Sequence, residues 1–95
     1  MSTRDQYIEK FKAKLDEWNA EIDRLEARGR QAEADSRIKY EKELSDLREK
    51  RDAAREKLEE IQHSSDDAWQ DLKRGADDAW SAARDALAQA AERFK

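Results

Sequence analysis

The amino-acid sequence predicts an all-α protein, and three observations support this fold class. The chain has no proline, the residue that most strongly interrupts helices. Charged residues make up 46% of it with a net charge of only −4, and this balanced mixture with alanine and leucine is typical of long helices and coiled coils. Apolar residues also recur at helical spacing along most of the chain. The length of 95 residues allows at most one small domain.

A first helix is predicted to begin at Thr3, because Thr3 and Gln6 fit the spacing of a capping box. Large apolar residues then follow at alternating steps of three and four, which is the heptad pattern of a helix that packs against another helix. The pattern is interrupted after Leu25 and resumes in a shifted phase from Tyr40 onward. We name its large members the heptad seam: Ile8, Phe11, Leu15, Trp18, Ile22, Leu25, Leu44, Leu47, Leu58 and Ile61.

Small residues occupy the interruption, at Gly29, Ala32 and Ser36. Two arrangements of residues 1–62 are compatible with this pattern. The helix-forming neighbours of Gly29 favour a continuous or kinked helix, since a glycine inside a helix costs only about 1 kcal/mol relative to alanine. Together with a C-terminal helix, it would form an elongated coiled coil or helical hairpin. The alternative is a reversal of the chain near Gly29, which would give a compact three-helix bundle.

Residues 63–65 are predicted to be a junction, and an amphipathic helix is predicted over residues 66–95. A serine followed by paired aspartates is well suited to cap the start of a helix. The phrase Asp-Asp-Ala-Trp occurs at 66–69 and again at 77–80, and this spacing of eleven residues is three helical turns, so both tryptophans face the same way. We name the large side chains on this side the amphipathic face: Trp69, Leu72, Trp80, Leu87 and Phe94.

Two stretches of the chain resemble small bacterial coiled-coil proteins of unassigned function. One contains Leu15-Asp16-Glu17-Trp18-Asn19, and the other is the closing segment Asp67-Ala68-Trp69-Gln70-Asp71-Leu72-Lys73. The resemblance covers nearly the whole chain and implies a coiled-coil fold, with no activity, cofactor or catalytic residue attached to it. The eleven-residue repeat is also similar to the repeats of exchangeable apolipoproteins and late-embryogenesis proteins, which implies an amphipathic helix.

The sequence offers little that supports catalysis or metal binding. It contains one histidine, no cysteine and no glycine-rich loop of the kind that holds phosphate. His63 adjoins Ser64 and Ser65, but adjacent residues rarely reach the geometry that a base and its nucleophile need, so a solvated loop histidine is expected. Paired aspartates in helical sequence are expected to face water rather than a calcium ion. We therefore predict that the protein is not an enzyme and has no catalytic residue, cofactor or metal.

The predicted function is that of a structural or interaction protein, a scaffold or stress-associated protein that uses the heptad seam. Its partner is expected to be a second copy, most simply in a symmetric homodimer, or another helical protein. The alternative is binding to a membrane or lipid surface through the amphipathic face, against which the acidic balance of residues 63–95 argues. Basic residues form no patch, so no nucleic-acid partner is expected. The chain has neither an apolar leader nor a spanning segment, which predicts a cytoplasmic location.

Overall fold

Three helices make up most of the computed structural model, which describes residues 2–94. Helix α1 spans Thr3–Gln31, α2 spans Ala34–Gln62 and α3 spans Trp69–Arg93. They lie side by side in up-down-up order in a bundle of 51 × 19 × 19 Å. The predicted all-α fold is confirmed, and of its two predicted arrangements the chain adopts the three-helix bundle.

The chain reverses at Ala32 and Glu33, which have extended backbone with ψ angles of 156° and 160°. The continuous or kinked helix that we favoured over residues 1–62 is therefore wrong. The physical reason is burial: a reversal lets the two halves of the heptad seam pack against each other within one chain, whereas a straight helix leaves both halves in water. The reversal lies three residues after Gly29, so the alternative turn near this glycine is correct in its approximate position.

Gly29 does not end the helix, and no described residue has a positive φ angle. Gly29 stays inside α1 and is buried. A Cβ atom placed on it would lie 3.1 Å from the Cβ of Tyr40 on α2, which is tighter than ordinary van der Waals contact. The ring of Tyr40 in turn stacks on Phe94, with the ring centroids 3.9 Å apart. The glycine therefore serves a close approach of α1 and α2 at this end of the bundle.

The ends of the helices differ slightly from their predicted positions. Helix α1 begins at Thr3 as predicted, but the capping residue is Ser2, whose hydroxyl accepts a hydrogen bond from the backbone N–H of Asp5 at 3.1 Å. Helix α3 begins at Trp69, three residues later than predicted, after an irregular turn. In that turn the hydroxyl of Ser65 accepts a hydrogen bond from the N–H of Ala68 at 3.2 Å. The junction is therefore longer than the predicted 63–65, and Ser65 caps this turn, whereas the N-cap of α3 is Ala68, which makes no side-chain capping bond.

Helix α2 packs closely against both other helices, whereas α1 and α3 approach each other less closely. Close packing of α3 is possible because alanines supply most of its fully buried positions: Ala76, Ala83 and Ala90. Large aromatic side chains fill the wider space between α1 and α3. Within the described residues, none of the helices combines the length and the apolar character needed to cross a membrane.

Candidate interaction surfaces

The heptad seam lies in the core of the bundle. Its members from α1 and α2 are almost completely inaccessible to solvent, except for Ile8, which is partly buried against the others. Trp18, Ile22, Leu47 and Ile61 are the largest fully buried side chains. The side chains that we predicted to bind a partner are thus in contact with one another inside a single chain.

The amphipathic face covers the same core from the third side. Trp69 is buried, and Leu72, Trp80 and Leu87 pack against the core with part of their surface open to solvent. Phe94 is half-buried at the end of the bundle, where it stacks on Tyr40. The structure therefore brings both predicted surfaces together, and the exposed charged residues form the outside of the molecule.

An aromatic column runs between α1 and α3. Tyr7 lies between Phe11 and Trp69, with centroid distances of 5.9 Å to each ring. Trp80 contacts Phe11 at 6.0 Å and Trp18 at 4.8 Å, edge to face in both cases. Sequence reasoning had missed Tyr7, which lies one residue before the seam position Ile8. Its signal was the step of four residues to Phe11, because side chains at that spacing share one side of a helix.

A groove of about 430 Å³ opens beside this column, between α1 and α3. Trp18, Trp80 and Leu87 form its apolar part, and the ammonium group of Lys14 lies 5.1 Å from the centroid of the Trp80 ring. That geometry is a cation–π contact. The charged rim carries both signs, from Lys14, Glu17, Glu21, Arg24 and Arg84. The Arg24 guanidinium pairs with Glu21 at 2.5 Å. Because the rim carries both charges and two of its charged groups neutralise each other, it does not select ligands of one charge.

Polar contacts tie α1 to the junction before α3 and to α3 itself. The hydroxyl of Tyr7 donates a hydrogen bond of 2.7 Å to Oδ1 of Asp77. Arg4 donates to the carbonyl oxygen of Ser64 at 2.7 Å and pairs with Asp66 at 3.3 Å. Partial burial, followed by the hydrogen bond and the negative charge of Asp77, raises the pKa of Tyr7 well above its ordinary value. Each of these contacts joins residues about 60 to 70 positions apart.

Near the other end, Glu26 joins α1 to α2. Its carboxylate accepts hydrogen bonds from Arg30 at 2.6 Å and from Arg48 at 2.9 Å. The hydrogen bond and charge of Arg30, with a smaller effect of Arg48, lower the pKa of Glu26 below its ordinary value. Arg51 likewise crosses from α2 to α1, donating to Asn19 at 3.2 Å. These polar pairs flank the core and join the two helices along their length.

Several of the residues considered for catalysis or metal binding make structural contacts. The hydroxyl of Ser64 donates to the carbonyl of Ile61 at 2.6 Å, and Ser65 caps the following turn. His63 is exposed. Asp77, a member of the second aspartate pair, holds the Tyr7 hydroxyl. Across residues 2–94 there is no group of three or more side chains that could hold a metal ion.

Comparison with family models, with curated proteins and with solved structures found no match to this chain.

Proposed function

We propose that this protein is a non-enzymatic interaction protein, a small cytoplasmic scaffold or stress-associated protein that associates through its heptad seam. The observation that supports this function is the pairing of the seam with itself: its α1 half and its α2 half are packed against each other in the core. Surfaces that pair within a chain can also pair between chains, because the same knobs and holes are presented in either case. The partner is a second copy or another helix with a matching heptad.

The closed bundle exposes too little apolar surface for such association, so the bundle must open first. Ile38, with 68% of its surface accessible, is the single large hydrophobic side chain that is exposed among the described residues. Most of the other exposed residues are charged and the remainder are small or polar, and isolated charge pairs on a surface contribute at most about 1 kcal/mol. The apolar area that could drive association is stored inside the bundle. The closed form is therefore the resting state, and an opened form is the associating one.

Molar mass measured by light scattering, from micromolar to millimolar concentration and after refolding at the highest concentration, tests this function. We expect an 11.1 kDa monomer at low concentration and a growing dimer fraction at high concentration. Mixing a tagged and an untagged copy through one unfolding cycle should give mixed dimers. A mass that stays monomeric under every condition, with no mixed species, contradicts self-association.

Lipid binding is the second candidate, and the amphipathic face of α3 supports it. Trp69, Trp80 and Leu87 lie on one side of this helix, and α3 is packed less closely against α1 than against α2. Release of α3 would expose an amphipathic surface with aromatic residues, the type that lies in a membrane interface. Flotation with neutral and with anionic vesicles, read by the tryptophan emission maximum, tests it. Absence of binding to both vesicle types contradicts this candidate.

A further inference from the structure

We propose that two copies of this chain exchange helix α1, by straightening of the turn at Ala32–Glu33 into a continuous helix. This inference rests on the proposed self-association and identifies both its partner, a second copy, and its route. In the exchanged dimer each bundle would contain α2 and α3 of one copy and α1 of the other.

Both turn residues already have φ angles close to those of a helix. Ala32 has a φ of −77° and Glu33 a φ of −64°, and both values lie in the helical range. Only the two ψ angles must rotate for α1 to continue into α2. Alanine and glutamate are both strong helix formers, and neither residue would be strained in a helix. Straightening therefore meets no steric obstacle at either residue.

Few contacts hold the turn in its bent form. Glu33 occupies the capping position of α2, yet its side chain makes no capping hydrogen bond. Three hydrogen bonds involve the two turn residues: the N–H of Ala32 donates to the carbonyl of Gly29 at 3.3 Å, the side chain of Arg37 donates to the carbonyl of Ala32 at 3.2 Å, and the N–H of Arg37 donates to the carbonyl of Glu33 at 2.8 Å. The first two are long, a straight helix would replace the first by a regular bond, and the third already has the spacing of a helical bond and would be kept. The bend is stabilised mainly by what α1 and α2 bury beyond it.

The contacts between α1 and α2 can be remade between two copies. Gly29 packs on Tyr40, Asn19 bonds to Arg51, and Glu26 bonds to Arg48. Each pair is placed almost symmetrically about residues 34–37. Two straightened helices that cross in antiparallel orientation at that point would reproduce each pair between chains. The seam positions nearest to the crossing are the small residues Ala32 and Ser36, which permit two backbones to approach.

A second copy is the occupant that these observations favour over a different partner. Every contact that α1 makes with α2 and α3 is already complementary in the closed bundle, so an identical α1 from a second copy restores all of them. The remaining unfavourable contribution is the translational and rotational entropy that two chains lose when they associate. This contribution becomes smaller as the protein concentration rises. Helix α3 stays with its own α2, because only the turn at Ala32–Glu33 opens and the junction between α2 and α3 keeps its hydrogen bonds. The exchanged dimer is therefore favoured by high concentration and by refolding.

Replacement of Glu33 distinguishes the closed monomer, with its bent turn, from the exchanged dimer, with its continuous helix. Proline fits the bent turn, because the φ of Glu33 is −64°, its N–H donates no hydrogen bond that the described residues show, and extended Ala32 suits a residue before proline. In a continuous helix the same proline removes a hydrogen bond and clashes with the preceding turn. Glu33→Ala is the matched control, since it removes the same carboxylate and still permits a helix.

Light scattering after refolding at millimolar concentration gives the first readout. We expect dimers from wild type and from Glu33→Ala. We expect Glu33→Pro to remain monomeric with unchanged helix content, because two interior prolines lower the association constant by about ten-thousandfold. Equal dimer fractions in Glu33→Pro and Glu33→Ala overturn the exchange of α1 but leave self-association standing. Absence of dimers in every variant contradicts self-association itself.

Energy transfer within one chain gives the second readout. The chain has no cysteine, so Gln6→Cys and His63→Cys place two dyes on exposed positions next to the contact between Arg4 and Ser64. Doubly labelled chains are refolded with an excess of unlabelled chains. We expect high transfer in the monomer and its loss in the dimer, because a continuous helix separates the positions by about 85 Å. A dimer that keeps high transfer is a pair of closed bundles, which overturns the proposal.

Discussion

Trp18 and Trp80 meet edge to face in the core, with their ring centroids 4.8 Å apart and their planes at 69°. Trp18 belongs to the heptad seam of α1, and Trp80 belongs to the eleven-residue repeat of α3. The contact therefore joins the two sequence patterns that otherwise predict separate surfaces. Edge-to-face pairs of this kind add about 0.5–1.5 kcal/mol beyond the burial of their area.

The two tryptophans should differ in their contribution to stability. Trp18 is 1% exposed, so Trp18→Ala should lower the free energy of unfolding by about 3–5 kcal/mol. Trp80 borders the groove and is only partly buried, so Trp80→Ala should cost less. Urea unfolding followed by circular dichroism measures both, with the exposed Ile38→Ala as a control that changes stability by less than about 0.5 kcal/mol. A larger loss for Trp80→Ala than for Trp18→Ala contradicts the difference in burial.

The two glycines should respond in opposite ways to alanine. A Cβ on Gly75 would have its nearest neighbour, the Cδ of Lys57, at 4.0 Å. Gly75→Ala should therefore stabilise the bundle by about 1 kcal/mol, the difference in helix propensity, and raise Tm by about 4–8 °C. Gly29→Ala should not give this stabilisation, because its Cβ would lie 3.1 Å from the Cβ of Tyr40. Thermal unfolding compares them, and an equal rise in Tm for both would contradict the close approach at Gly29.

Tyr7 should make the free energy of unfolding depend on pH in the alkaline range. The folded state raises the pKa of Tyr7, so the stabilisation is complete below the unfolded value of about 10 and is lost as pH rises toward the folded pKa. The difference in unfolding free energy between wild type and Tyr7→Phe should be constant below about pH 10 and narrow above it. Urea unfolding over this pH range measures the difference. Asp77→Asn keeps an acceptor but removes the charge, so it should weaken the effect; a difference that widens with pH would have the wrong sign.

Phe94 should hold the C-terminal end of α3 against α1 and α2. Its ring stacks on Tyr40, and its carbonyl oxygen accepts a hydrogen bond from Arg28 at 3.4 Å. Phe94→Ala should lower the free energy of unfolding by about 1–2 kcal/mol. Hydrogen exchange should become faster in the last turn of α3 and around Tyr40, while the turn at Trp69 stays unchanged. Tyr40→Phe keeps the ring and serves as the control, and uniform acceleration along α3 would contradict a local role for Phe94.

Sequence periodicity identified most of the large side chains that α1 and α2 bury in the core. The seam positions Trp18, Leu47 and Ile61 were predicted from steps of three and four residues, and all three are buried. Helix α1 begins at Thr3 as predicted, although the residue that caps it is Ser2 and not the predicted pair of Thr3 and Gln6. Tyr7 was missed, since its place in the aromatic column depends on Trp69 and Asp77, about 60 to 70 residues away.

By itself, the sequence determined the all-α class, the members of the seam and the amphipathic nature of the last helix, because spacing and composition are local properties that each helix expresses on its own. Only the tertiary structure decided where the chain reverses. Ala32 and Glu33 are helix formers with no turn signal, and neither needs an unusual φ angle. Their bend is stabilised by the contact of α1 with α2 and α3. Burial between distant segments exceeds the small local preference for a straight helix, and no local pattern reports that balance.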